Sequence, residues 1–427
     1  MSALRSVGLA LVSAFGLVDG AVGQDLRIDN ARIWNPGADP GEPTTLVVRN
    51  GRIAAPGTRA SGDAPVIDAE GRLVTPGFIA GPNPIGLVEV NLEATTRDAE
   101  GDAAAGPVQA SFSAVDGYNP RSTAIPVARR GGVTHALSTP SGGLIAGTSA
   151  LVRLFGSVPE DVMVEPLVAV HADLEDAGIT ASGGARPAAV GRLREALDDA
   201  RLYARQRAAY DRRGVREMRL RRQDLERLDD VLSGRLPLVV RVARAADILR
   251  VLELAESYRL RLVLSGVEEG WRVAEAIAEA DVPVIVRPLS NLPDGFASLG
   301  NRSDNATRLA AAGVRVMITT YDAHELRTMG QEAGNAVAHG LDRNLALAAV
   351  TSTVAESFGL GDLGRVQAGR AADFVIWEGD PFDVTGFPRE VVIGGRRTVL
   401  ESRQTELFRR YRDLAQVRQG RPHRPEE

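Results

Sequence analysis

Between residues 74 and 360 the chain passes repeatedly from a short apolar strand into an amphipathic helix. Strands are expected at 74–79, 133–137, 162–170, 236–242, 261–264, 282–286 and 314–319. Helices are expected at 245–257, 269–280 and 304–312. Strands that are apolar on both faces, each followed by a helix, belong to a parallel sheet covered by helices. The length of this region suits a (β/α)8 TIM barrel with insertions, a fold of about 250 residues.

Both flanks of the barrel read differently. Residues 25–73 hold short strands, among them Thr45-Leu46-Val47-Val48-Arg49 and Arg52-Ile53-Ala54, joined by the hairpin turn Asn50-Gly51. Residues 361–400 return to the same pattern, with Phe374-Val375-Ile376-Trp377 and Val391-Val392-Ile393. Neither flank alone is large enough to bury a core. The two are expected to form one small β-sandwich from both termini, and residues 401–427 a charged tail, helical at first and disordered from about residue 420.

Residues 192–230 are dense in both Arg and acidic side chains, with leucines at helical spacing. That is the pattern of solvated surface helices. The charges nearly cancel there, and net charge over the chain is −5. Neither fact favours nucleic acid as a partner.

Two absences restrict the chemistry. The chain has no Cys, which excludes disulfides, thiolate nucleophiles and Cys-ligated zinc. It also has no Lys, which excludes a Schiff base and a carboxylated-lysine metal bridge. At the N-terminus, Arg5 precedes an apolar run over residues 7–18, and Ala21-Val22-Gly23 follows as a small-residue cleavage site. Residues 1–23 are expected to be a signal peptide, with export to the periplasm and no membrane span once it is removed.

The stretch Val74-Thr75-Pro76-Gly77-Phe78-Ile79-Ala80-Gly81-Pro82-Asn83-Pro84 resembles the first-strand signature of the amidohydrolase superfamily, Pro-Gly-Phe-Ile-Asp-x-His-x-His. The C-terminal run Gly364-Arg365-Val366-Gln367-Ala368-Gly369-Arg370-Ala371-Ala372-Asp373-Phe374-Val375 is similar to that family's closing segment, with Arg370 at its Lys position. The nearest branch is imidazolonepropionase-like. The resemblance implies a barrel with a composite β-sandwich. It also implies hydrolysis of C–N bonds in cyclic, amide-like small molecules, with zinc held by His residues at the barrel mouth.

This chain departs from the pattern at the ligands. Pro82 and Pro84 stand at the two His positions, and Arg241, in Val239-Val240-Arg241-Val242, at the strand-5 His. Leu264-Ser265-Gly266-Val267-Glu268 has no strand-6 His. No cofactor is therefore expected. Asn83, His171 and Arg241 are candidates for substrate binding. Asp322 and His324 are candidates for catalysis, Asp322 standing near the family's strand-8 general base, or else capping the helix that follows. Ser141-Gly142-Gly143 reads as a loop at the mouth. Two functions stay open: a hydrolase of the family's type, and a pseudoenzyme, an exported binding or scaffold protein on the same barrel. The expected partner is a small molecule, and a homo-oligomer is compatible with the sequence.

Overall fold

The computed structural model describes residues 25–412, apart from positions 291 and 294. The expected signal peptide and the far end of the tail lie outside the described residues. Among these, no helix is long and apolar enough to cross a membrane.

Eight strands form each of two sheets. The first is composite. From the N-terminal side it takes β1 (Leu26–Ile33), β2 (Thr44–Arg49), β3 (Arg52–Ile53), β4 (Val66–Asp68) and β5 (Leu73–Pro76). The barrel strands follow: β6 (Phe78–Asn83), β7 (Val133–Ser138), β8 (Ile145–Arg153), β9 (Met163–Asp173), β10 (Leu238–Val242), β11 (Leu262–Gly266), β12 (Val284–Val286) and β13 (Val316–Ile318). Then β14 (Phe374–Glu378), β15 (Phe387–Ile393) and β16 (Arg396–Arg397) complete the first sheet. There β14 lies antiparallel to β5, pairing Phe374 with Pro76 and Ile376 with Val74. The termini thus share one sheet and one core, in which Leu26, Ile28, Val48, Val74, Phe374, Ile376 and Val392 are buried together.

The second sheet runs β6 to β13 in sequence order. It is the expected barrel with one variation: β8 is antiparallel to both neighbours. No strand is expected at β8 from the sequence, because its apolar run is interrupted by Gly147, Thr148 and Ser149. Gly81 on β6 faces the Thr319 side chain just beyond β13, where a Cβ would stand 3.1 Å from it. That close approach brings the two end strands together.

Side chains alternate along a strand, so every second residue points into the barrel. Ile79, Leu137, Leu151, Ala169, Val239, Val263, Ile285 and Met317 fill the interior, closed at the N-terminal face by Val354, Ala355, Phe358 and Leu363. The intervening residues, such as Phe78, Ala136, Val240, Leu264 and Ile318, face the outer helices. Two of those helices, Arg186–Arg205 and Arg222–Leu232, come from the charged segment.

The sheets are locked by Trp377. Its indole donates to Thr75 Oγ1 at 2.8 Å, and its ring lies 5.2 Å from that of Phe78. Fully burying a side chain of that size contributes on the order of 3 kcal/mol or more.

A candidate ligand site at the barrel mouth

The alternation that fills the interior also determines what reaches the mouth. Two residues beyond Val239 comes Arg241, two beyond Val263 comes Ser265, two beyond Ala169 comes His171, and then Asp173. Parallel register places Arg241 opposite Asp173 on β9 and opposite Ser265 on β11. Past β13, the same parity through Met317 and Thr319 leads to Tyr321. These side chains line a cavity of about 280 Å³, together with Pro82, Asn83, Pro84 and the loop Thr139-Pro140-Ser141-Gly142.

Tyr321 was not anticipated. It sits at φ +60°, a left-handed conformation that costs a residue with a Cβ about 1–2 kcal/mol. Its hydroxyl holds it there. It donates to the Ile285 carbonyl at 3.1 Å, accepts from the Gly266 amide at 2.9 Å, and meets Ser265 Oγ at 2.9 Å. Burial raises the phenol's pKa, outweighing the opposing effect of the Arg241 charge, so the group stays protonated.

The Arg241 guanidinium stacks over that ring, 4.9 Å from its centroid. Burial alone would disfavour the cation, but the carboxylates of Glu268, Asp173 and Glu175 oppose it and hold the pKa up. Asp173 accepts from the Glu175 amide at 2.7 Å, and burial holds its carboxyl above the usual carboxylate range despite the opposing pull of Arg241. His171 is buried one layer deeper and bonds through Nε2 to Ser149 Oγ at 2.8 Å. Burial lowers its pKa to about 3, which makes it a neutral imidazole.

The other anticipated residues have structural partners. Asn83 lines the cavity, but its amide donates to the Gly81 carbonyl at 2.7 Å and accepts from the Ile85 amide at 3.0 Å, fixing the turn. Asp322 and His324 do not line the cavity. Asp322 caps the helical turn Ala323–Thr328, accepting from the His324 amide at 2.7 Å, and its second oxygen accepts from Asn91 at 3.0 Å. The imidazole of His324 lies exposed. Arg241 and Asp322 do not form an ion pair, although their strands open on the same mouth. Asp322 is one residue out of phase with the inward row, and Tyr321 takes the inward place.

Whether this mouth suits the family's metal depends on its donors. A zinc site takes three or four His, Cys or carboxylate ligands. Among the described residues no group of three or more His, Asp or Glu side chains is arranged to hold a metal ion. Prolines and a guanidinium occupy the positions where the resemblance implies His. The donor set does not fit a divalent cation.

Residues 239–404 match the model of the amidohydrolase family, from the second residue of β10 through the C-terminal strands of the composite sheet. Over these residues the chain is an amidohydrolase-family sequence. A stretch of 65 residues, 15% of this chain, is 42% identical to the amidohydrolase tasK of Hapsidospora irregularis, and covers 7% of that protein. Among solved structures, the chain resembles an amidohydrolase from Thermotoga maritima MSB8 with a TM-score of 0.79 at 23% identity, covering 88% of this chain and 99% of that one. It also resembles a β-aspartyl dipeptidase from Fervidobacterium islandicum AW-1, with a TM-score of 0.54 at 13% identity over 88% and 96% of the two chains. At these identities the likenesses establish the fold: a barrel with a β-domain built from both termini.

Proposed function

We propose that this amidohydrolase-superfamily barrel binds a small, cyclic amide-like molecule at its mouth, without a resident metal and without the family's metal-assisted hydrolysis. One observation carries the reading: Arg241, stacked on Tyr321, stands directly opposite Asp173 in the inward row. A guanidinium offers hydrogen-bond donors only, and a carboxylate accepts. An amide presents the complement, a carbonyl for Arg241 and an N–H for Asp173. Pro82, Pro84, Pro140 and Val239 supply the apolar wall for the ring. Export of the protein is part of the same proposal and rests on the sequence of residues 1–23.

A second reading keeps the hydrolysis of C–N bonds, which the family match and the hydrolase among the structural neighbours support. On this chain it would use Asp173 as general base in place of Asp322, because Asp173 is the carboxyl at the cavity wall and its pKa is displaced upward.

Calorimetric titration of chelator-dialysed protein with 2-pyrrolidinone, hydantoin and glutarimide, with chromatography of the products, separates the two. Saturable binding without turnover, weakened about tenfold or more in Arg241→Leu, is expected. Turnover that appears only with added zinc would overturn the binding reading. Metal-free turnover lost in Asp173→Asn would establish the second.

A further inference from the structure

The opposite end of the barrel holds a second cavity, of about 440 Å³, between the N-terminal face and the composite sheet. Three residues that line it each carry a buried polar atom left without a hydrogen-bond partner among the described residues: His135 Nε2, Arg153 Nε and Asp373 Oδ2. His135 and Arg153 are cross-strand partners on β7 and β8, and Asp373 enters from the segment just before β14. His135 is 1% exposed and Asp373 7%. A buried polar group without a partner costs on the order of 1–3 kcal/mol, and three at one cavity make an incidental cluster a poor explanation.

Their hydrogen-bonding roles can be assigned. Thr134 Oγ1 donates its proton to the Phe78 carbonyl at 3.3 Å. The contact of 3.1 Å between Thr134 Oγ1 and His135 Nδ1 then requires the proton on Nδ1. That leaves Nε2 as a bare acceptor. Asp373 already accepts the Gly394 amide through Oδ1 at 2.7 Å, and its Oδ2 is the second acceptor. The Arg153 Nε–H is a donor. Leu151, Leu360 and Leu363 supply an apolar wall.

We infer that this cavity is a binding site for a small molecule with an unsubstituted carboxamide on an apolar body. Its two N–H bonds meet His135 Nε2 and Asp373 Oδ2, and its carbonyl accepts from Arg153. A water carries the same complement, but on the same measure one water needs only about 10–15 Å³, a small part of this volume. The inference does not rest on the reading of the mouth, since no residue lines both cavities.

Isobutyramide is the probe, followed by calorimetry or saturation-transfer NMR on the full chain. Saturable binding in the range of about 0.1–10 mM is expected for so small a ligand. N,N-dimethylisobutyramide, which lacks both N–H donors, should bind at least about tenfold more weakly. Asp373→Asn should lose a similar factor, and Arg241→Leu at the mouth should lose none. Absence of saturable binding, equal affinity for the two amides, or a soaked crystal with only ordered waters between the three atoms would overturn the site. Should Asp373→Asn fail to fold, the two amides on the unmodified chain decide the matter.

Discussion

Arg241 and Tyr321 occupy the barrel mouth as one stacked unit, with the guanidinium 4.9 Å from the ring centroid and the phenol fixed beneath it by Ser265, Gly266 and Ile285. The superfamily resemblance implies His and a divalent metal in this region. Here an aromatic ring and a permanent cation take that space, and the interaction between them contributes about 0.5–2 kcal/mol.

Tyr321→Phe should leave the stack and remove the hydroxyl. Three partners then lose it at once: the Ser265 hydroxyl, the Gly266 amide and the Ile285 carbonyl. Groups left unsatisfied in a buried site cost about 1–3 kcal/mol. Urea unfolding should show a lower midpoint with an unchanged slope. A midpoint equal to the parent's would mean that the hydroxyl does not hold Tyr321 in its left-handed conformation.

The inward row explains what could be read in the sequence and what could not. Arg241 was legible, because Val239-Val240-Arg241-Val242 is an uninterrupted strand and parity alone directs it inward. Parity from Met317 also singles out Tyr321 rather than Asp322, and that signal was available. It was obscured because β13 ends at Ile318, and nothing in the sequence marks a tyrosine for φ +60°. Asp322 attracted the functional reading through its chemistry, while its position favoured a cap. Strand β8 was missed because its apolar run is broken by small and polar residues. The composite sheet was legible because hairpin turns and alternation are local signals.

Acid should destabilise the protein through His171. Its imidazole titrates near 6.5 when unfolded and at about 3 when folded, because of burial. Between those values the unfolded chain binds a proton that the folded chain does not. Its contribution is therefore complete above the unfolded value and declines as pH falls towards 3, by at most about 1.4 kcal/mol per pH unit. His135 acts with the same sign, its pKa lowered chiefly by burial. Asp173, Glu175 and Glu332 act oppositely, since burial raises their pKa values and the folded chain takes up protons first. In His171→Gln only the first contribution disappears, so Tm should fall less between pH 7 and pH 5 than in the parent. Equal pH slopes for the two proteins would show that His171 is not held neutral by burial.

Removal of divalent metal should leave the fold unchanged. Extensive dialysis against a chelator is expected to shift Tm by less than the error of the melt, and added zinc to give no saturable stabilisation, because ligands that bind only the folded state raise Tm. Installing Pro82→His, Pro84→His and Arg241→His together should introduce a zinc-dependent rise. Stoichiometric zinc in the unmodified protein that survives the chelator would refute the assignment of the mouth as a metal-free site.

The joint between barrel and composite sheet should be the part of the fold least tolerant of added volume. Gly132, just before β7, has φ +81°, and a Cβ there would lie 2.6 Å from the Trp377 ring. The ring cannot easily retreat, being bonded to Thr75 and packed on Phe78. Gly132→Ala therefore combines an unfavourable backbone conformation, about 1–2 kcal/mol, with overpacking of about 1–3 kcal/mol. Destabilisation of roughly 2–5 kcal/mol is expected in urea, with Trp fluorescence reporting the loosened indole. Pairing it with Trp377→Phe tests the cause. The smaller ring should relieve the clash, so the double variant should be less destabilised than the sum of the two single changes. Strict additivity would show that the cost lies in the backbone conformation alone.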